Sequence, residues 1–454
     1  MARVRKQPLW SFLDNLKGDK VVWSIFLMLM MLSVLFVFSS SWDQLRGSAT
    51  LTRFDIAMDQ FKIIGVSLVA VIFVYNIKDI EFFRKCSSCG FVISFVLLLA
   101  LIFLGTEKNG ATRYIIVAGK QIHVFEIVKI AMPMYIAWAI DALENKRETM
   151  VDKIAAKSEK LSWMLKLRWK QFFLLFLPFA ICLVLVQKGS NSAAMLIGII
   201  TITTIAVGTG DVKLVGGIAA GAIIIVAFIL TVYTISANRG DDPPKFNRAG
   251  TLIGRVISIN DVQKYEMHPT QANLDKIRQP YSARLAIHQG GLLGKGPGQS
   301  TQRYKVPDIS QDYMFSFIVE EYGIFSLFVI ALYLSLLARG TLIIKTCGNN
   351  IFAKCAIFGL VLLISGQAFL HILVNMNFGL LTGQTLPMLS HGSFAFLCFS
   401  IAFGIILSIS RLANKNLEKM SKTAAPLMEQ VTAAEEDSIK DTLSDLDNFE
   451  ADEL

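Results

Sequence analysis

Long apolar runs separated by short polar connections dominate the chain. Stretches of about 17 to 25 mostly apolar residues, the length one helix needs to cross a bilayer's hydrocarbon layer, recur near 21–41, 60–77, 89–104, 122–142, 171–187, 191–208, 213–236, 312–337, 351–376 and 385–410. The pattern predicts an all-α polytopic membrane protein of about ten spans, an even number that puts both termini on one side. Two connections stand out. In 144–170, Lys, Arg and Glu mix with Ile154, Leu161, Met164 and Leu165 at helical spacing. This suggests an amphipathic helix on the membrane surface, with charge anchoring alone as the plainer alternative. Between the seventh and eighth runs lies a large loop, 237–311.

Composition agrees with lipid as the main solvent, since 54% of the residues are hydrophobic and 17% charged. No cleavable signal peptide is expected: the first 20 residues are polar and basic, and the run after them is long enough to stay as a span. Basic residues in short loops set the orientation. Arg3, Arg5, Lys6, Lys17 and Lys20 precede the first run, Lys78, Arg84 and Lys85 follow the second, and Lys146, Arg147, Lys153 and Lys157 follow the fourth. Those segments are expected in the cytoplasm, and 237–311 outside. The expected organisation is a cytoplasmic segment 1–20, a transmembrane domain 21–411, and a cytoplasmic tail 412–454. That tail starts basic and turns acidic, a composition suited to disorder. The 6 cysteines are scattered, and Cys86 and Cys89 form a lone CxxC without a second ligand pair, so reduced structural thiols are expected. No HxxxH spacing occurs, so metal ligation by the histidines is not expected, and no nucleic-acid partner is expected.

The candidate chemistry concentrates in Gly290-Gly291-Leu292-Leu293-Gly294-Lys295-Gly296-Pro297-Gly298-Gln299-Ser300-Thr301-Gln302-Arg303, followed by Pro307-Asp308-Ile309-Ser310-Gln311-Asp312-Tyr313. Clustered glycines let backbone amides approach a ligand, and neighbouring Lys or Arg can neutralise phosphate oxygens. The GxxxxGK[ST] spacing of a nucleotide loop is absent. Asp312 is expected to open the eighth span, where a partly desolvated carboxylate suits a general base; a partner for the helix dipole is its commoner use. Glu126 and Lys129 lie i, i+3 on the fourth span, so they can pair inside the membrane, for function or for structure alone.

Four separated blocks resemble the SEDS family of shape, elongation, division and sporulation proteins, most nearly its division branch. They are Asn109-Gly110-Ala111-Thr112-Arg113-Tyr114; Glu126 with Lys129; Ala286 to Asp312 with Glu320-Glu321-Tyr322-Gly323; and Gln367 to Asn375 with Thr385-Leu386-Pro387 and Ser390-His391-Gly392. The resemblance implies a glycosyltransferase that polymerises lipid II into glycan strands on the outer face of the cytoplasmic membrane. Its implied partners are a class B penicillin-binding protein, other divisome proteins and membrane lipids. It makes Asp312 the catalytic residue, and Arg113, Glu126, Lys129, Lys295, Gln302, Arg303, Asp308, Ser310 and Ser390 the substrate-binding candidates. A divalent cation, Mg²⁺ or Mn²⁺, is an open expectation, because no second carboxylate stands at ligand spacing from Asp312. The chain departs from the family at His123-Val124-Phe125 before Glu126, at Tyr114 after Arg113, at Pro307-Asp308 and at Lys188-Gly189-Ser190-Asn191-Ser192. A flippase for the same lipid, an elongation-type polymerase and a non-catalytic scaffold are the alternatives; an outer-rim Asp312 favours a polymerase.

Overall fold

The computed structural model describes residues 17–42, 45, 52–108, 111–117, 119–157, 159–238, 278–306, 309–378, 383–419 and 421. The basic residues before 17, most of the 237–311 loop, Asp308 and the acidic part of the tail lie outside the described residues. The helices are α1 Lys20–Ser40, α2 Arg53–Tyr75, α3 Ile80–Leu104, α4 Val124–Glu144, α5 Met150–Ala155, α6 Leu167–Gly189, α7 Asn191–Thr209, α8 Val212–Asn238, α9 Arg278–Gly290, α10 Met314–Thr346, α11 Ile351–Asn375 and α12 Ser393–Lys419. Among the described residues 8 helices are long and apolar enough to cross a membrane. The other two expected spans are α4, loaded with Glu126, Lys129, Asp141 and Glu144, and the 27-residue α8.

Capping chemistry moves several boundaries away from the apolar runs. α2 starts at Arg53 rather than near 60, because Thr52 and Asp55 form a reciprocal capping box. α3 starts at Ile80 rather than 89, where the Asp79 carboxylate accepts from the Glu81 amide. α12 starts at Ser393 rather than 385, since 387–390 are turns, and it continues to Lys419, past the expected start of an unstructured tail. Among the described residues between α4 and α6 no single amphipathic helix forms. The segment is divided into α5 and a 3₁₀ stretch, Glu159–Leu165.

α11 and α12 are the most enclosed spans, while α2 and α3 expose most of their surface. α4 packs against α11, α3 and α7. The α4–α11 approach is close: a Cβ on Gly359 would lie 2.8 Å from the Pro133 ring. In α6, Pro178 has no N–H to offer the Leu174 carbonyl four residues back, and the helix widens into a π turn over Phe172–Phe176. The Tyr135 hydroxyl of α4 donates to that carbonyl instead, at 3.0 Å.

A small antiparallel sheet, β1 Thr106–Lys108, β2 Ala111–Val117 and β3 Lys120–His123 in the order β1-β2-β3, joins α3 to α4. The apolar-run reading did not anticipate it. Ile115 and Ile116 pair with Ile122 and Gln121, and Gly119 takes the left-handed turn between β2 and β3 at φ 75°.

α10 breaks at Gly323–Phe325, with Gly323 at φ 53°. The break frees the carbonyls of Glu320 and Glu321 from the helix ladder, and the amides of Lys295 and Gly296 take them at 2.8 and 2.9 Å. The Ile324 amide returns a bond to the Leu292 carbonyl at 2.8 Å. Contact between the two backbones excludes side chains: a Cβ on Gly294 would meet the Glu321 carbonyl at 2.3 Å, and one on Gly290 the Val319 carbonyl at 2.4 Å. Gly290 and Gly294 therefore serve a backbone-to-backbone seam.

Candidate active site

At the sheet end of the bundle a cavity of about 1000 Å³ opens between α2, β2, β3, α4 and the segments before α10 and α12. Lys62, Tyr114, Gln121, His123, Glu126, Lys129, Asp312, Gln384 and His391 line it. Asp312 sits in the turn two residues before α10, partly exposed, so it precedes the helix rather than opening it. Gly383 lies against it: a Cβ there would be 3.3 Å from Asp312 Oδ2, so the absent side chain keeps room beside the carboxylate.

Glu126 and Lys129 project from the first turns of α4 and meet at 2.6 Å, with side chains 16% and 2% exposed. A buried ammonium needs more than one acceptor, and Gln384 Oε1 supplies the second at 2.7 Å. Glu126 Oε2 has no hydrogen-bond partner among the described residues, so the pair keeps an acceptor at the cavity wall. Lys62, one helical turn from Asp59 and bonded to it at 2.8 Å, adds an exposed cation. Burial holds the His391 imidazole below its ordinary range, opposed by the Asp59 charge.

The structure thus brings Asp312, Glu126 and Lys129 to one cavity and leaves other candidates elsewhere. Lys295 does not line it. Its ammonium is bound by Glu320 at 2.6 Å, Thr301 at 2.6 Å and Gln289 at 2.8 Å, and the Glu320 side chain is fully buried. Glu320 also accepts from the Ser300 hydroxyl and the Thr301 amide. Gln302 is buried in the same network, its amide donating to Gln289. Arg303 lies 3.8 Å from Glu321 and over the Tyr304 ring. The Ser39 hydroxyl binds the same Glu321 carboxylate, which ties the loop to α1. These cations lie against the two carboxylates that α10 buries at its break, and neither lines the cavity that holds Asp312. Ser310 is buried, and its carbonyl accepts from the His391 amide at 2.8 Å. Ser390 bridges the Leu386 amide and the Gln311 carbonyl, each at 2.8 Å. Both serines pin the Asp312 turn from outside the cavity. Arg113 is on β2, with its side chain beyond the description, and Asp308 is outside it altogether.

Sequence reading missed Lys62 and Gln384. Lys62 lies inside the second apolar run, 60–77, and a charge inside a span is the kind of residue that marks a site. Gln384 carried no such signal. Among the described residues no group of three or more His, Cys, Asp or Glu converges.

The bundle and its polar, carboxylate-bearing cavity define a polytopic helical membrane protein with a site at one end. The chain belongs to the FtsW, RodA and SpoVE family of cell cycle proteins, matching it over residues 19–415. It is 27% identical over 330 residues to the probable peptidoglycan glycosyltransferase FtsW of Caulobacter vibrioides, covering 72% of this chain and 73% of that one. It is 25% identical over 398 residues to the stage V sporulation protein E of Bacillus subtilis, covering 87% and 97%. Among solved structures it resembles a chain from a peptidoglycan synthase complex coordinating polymerization and crosslinking, with a TM-score of 0.62, 16% identity and coverage of 87% and 98%. The rod shape determining protein RodA of Thermus thermophilus gives a TM-score of 0.54 at 16% identity, covering 88% and 98%.

Proposed function

We infer that this chain is a peptidoglycan glycosyltransferase that polymerises lipid II into glycan strands for the division septum. The observation that carries it is the Asp312 carboxylate on the wall of a cavity shared with the Lys129–Glu126 pair and Lys62. Extending a glycan requires a proton to leave the acceptor sugar hydroxyl while the lipid pyrophosphate departs from the anomeric carbon of the donor. Asp312 takes the proton, and Lys62 and Lys129 offset the charge that develops on the leaving group. Glu126 Oε2 accepts a hydrogen bond from the substrate. The basic short loops support a reading in which the opposite end of the bundle and both termini face the cytoplasm and this cavity faces out. The names of the relatives support the same activity. A class B penicillin-binding protein crosslinks the strands beside it. A divalent cation would be held mainly by substrate phosphates with one or two protein carboxylates, and no step here is routed through it.

The test is strand formation from labelled lipid II by the purified protein, alone and with its crosslinking partner. Long glycan products that disappear in Asp312→Asn are expected; lipid translocation without polymerisation would establish a flippase instead.

A further inference from the structure

The start of α10 has an incomplete cap. The first amides of a helix have no partner inside it and are usually met by the N-cap side chain. Tyr313 occupies that position and makes no side-chain cap. α11 supplies the missing acceptors. The Phe315 amide donates to His371 Nε2 at 3.3 Å, and the Ser316 amide donates to Asn375 Oδ1 at 2.9 Å, joined there by the Ser316 hydroxyl at 2.9 Å. His371 and Asn375 lie i, i+4 on α11, hence on one face, and each is 1% exposed.

Both side chains also reach past the cap. Since His371 Nε2 accepts, Nδ1 carries the proton and donates to the Gln384 carbonyl at 2.7 Å. The Asn375 amide donates to the Asp312 carbonyl at 3.2 Å and to the His371 carbonyl at 2.8 Å. Gln384 in turn holds Lys129. One buried network therefore ties the Asp312 main chain to the 383–385 segment and to the buried lysine.

We propose that His371 and Asn375 are positioning residues, which cap α10 from α11 and so fix where Asp312 stands relative to Lys129. The proposal rests on the reading of Asp312 as the general base. A carboxylate displaced by about 1 Å loses on the order of a hundredfold in rate, because proton transfer depends on the approach of the reacting atoms. Neither side chain lines the cavity, so substrate binding is spared.

The experiment measures kcat and KM for lipid II polymerisation by full-length His371→Phe, His371→Gln, Asn375→Leu and Asp312→Asn, normalised to folded protein from thermal unfolding in detergent. The expected result is a fall in kcat of about tenfold to a hundredfold for His371→Phe and Asn375→Leu, with KM within about twofold. His371→Gln, which keeps an acceptor and a donor, recovers part of the loss. Asn375→Leu carries the test if His371→Phe does not fold. A wild-type kcat per folded molecule in the variants overturns the proposal, as does a rise in KM that accounts for the whole defect. Activity in Asp312→Asn overturns the underlying reading, whatever the other variants do.

Discussion

Two buried lysine–glutamate pairs serve opposite ends in this molecule. Lys129–Glu126 and Lys295–Glu320 each close at 2.6 Å, and each sits in a segment that resembles the family. Around Glu320 every direction is filled: Lys295, Ser300 and Thr301 converge on it, and backbone bonds from Lys295 and Gly296 seal the seam above. Around Glu126 one oxygen is left without a partner among the described residues, and the pair borders a cavity that also holds Asp312. A saturated pair relieves charge buried by the fold, whereas an unsaturated one beside a void can spend its remaining acceptor on a ligand. Residue type and spacing do not separate the two cases; only the surroundings do.

The largest effect that would sharpen the contrast is at Asp312. Asp312→Asn is expected to lower polymerisation by about 10² to 10⁴, the usual loss for a general base, without shifting the unfolding temperature. Strand formation from labelled lipid II and a thermal melt, taken together, check both halves.

Next come the cavity lysine and its partner. Removing either Lys129 or Glu126 strands a charge in low dielectric, at a cost of about 3–5 kcal/mol for a fully buried pair. Glu126 is partly exposed, so removal of Lys129, which strands that carboxylate, belongs at the lower end of that range. The double substitution should cost less than the sum of the singles yet restore no activity. Strict additivity in a double-mutant cycle would mean that the two do not interact in solution.

A third measurement contrasts glycines within the seam itself. Gly294→Ala places a methyl group 2.3 Å from the Glu321 carbonyl at a backbone φ of 76°, while Gly291→Ala, at φ 57°, meets nothing within 4 Å. Both variants carry left-handed strain of about 1–2 kcal/mol, and only the first adds a clash that must separate the two backbones. Gly294→Ala is therefore expected to unfold at a clearly lower temperature than Gly291→Ala. Equal melts would show that the loop does not rest on α10.

Much of this architecture is legible in the sequence because lipid imposes it. A helix must be apolar for about 20 residues to cross, so the spans show as runs even where Thr52 and Asp79 move their starts. The Glu126–Lys129 pair was legible for the related reason that charge inside a span needs a partner. The function of 290–303 was not. A glycine beside a lysine presents the same signal whether its free amides face a phosphate or the carbonyls released by a break in α10. That break at Gly323 is a three-dimensional fact with no run or spacing of its own. The sheet from Thr106 to His123 was hidden similarly, its short strands reading as one more connection. His371 and Asn375 stand in a helix whose apolar pattern does not explain why they are buried there beside Ser365 and Gln367.

The smallest expected effect separates the two lysine–glutamate pairs most directly. If the seam bound the substrate's pyrophosphate, neutralising Lys295 or Arg303 would lower turnover at saturating lipid II. In the structure both meet buried carboxylates away from the cavity. Lys295 compensates a fully buried Glu320, and Arg303, packed on Tyr304, lies 3.8 Å from Glu321. Lys295→Met keeps the aliphatic stem and removes the charge, which leaves Glu320 with the Ser300 and Thr301 donors. The loss should be about 1–3 kcal/mol of stability, the cost of leaving a buried polar group short of a partner. Turnover per folded molecule should stay within about twofold of wild type, because transition-state stabilisation is lost only when the missing group acts on the reacting atoms. Glu320→Gln with Lys295→Met should regain part of the stability, since the uncompensated charge goes with its partner. Unfolding temperatures and polymerisation rates of the single and double variants decide it, and a turnover defect in Lys295→Met that stability does not explain would return the glycine-rich loop to the substrate.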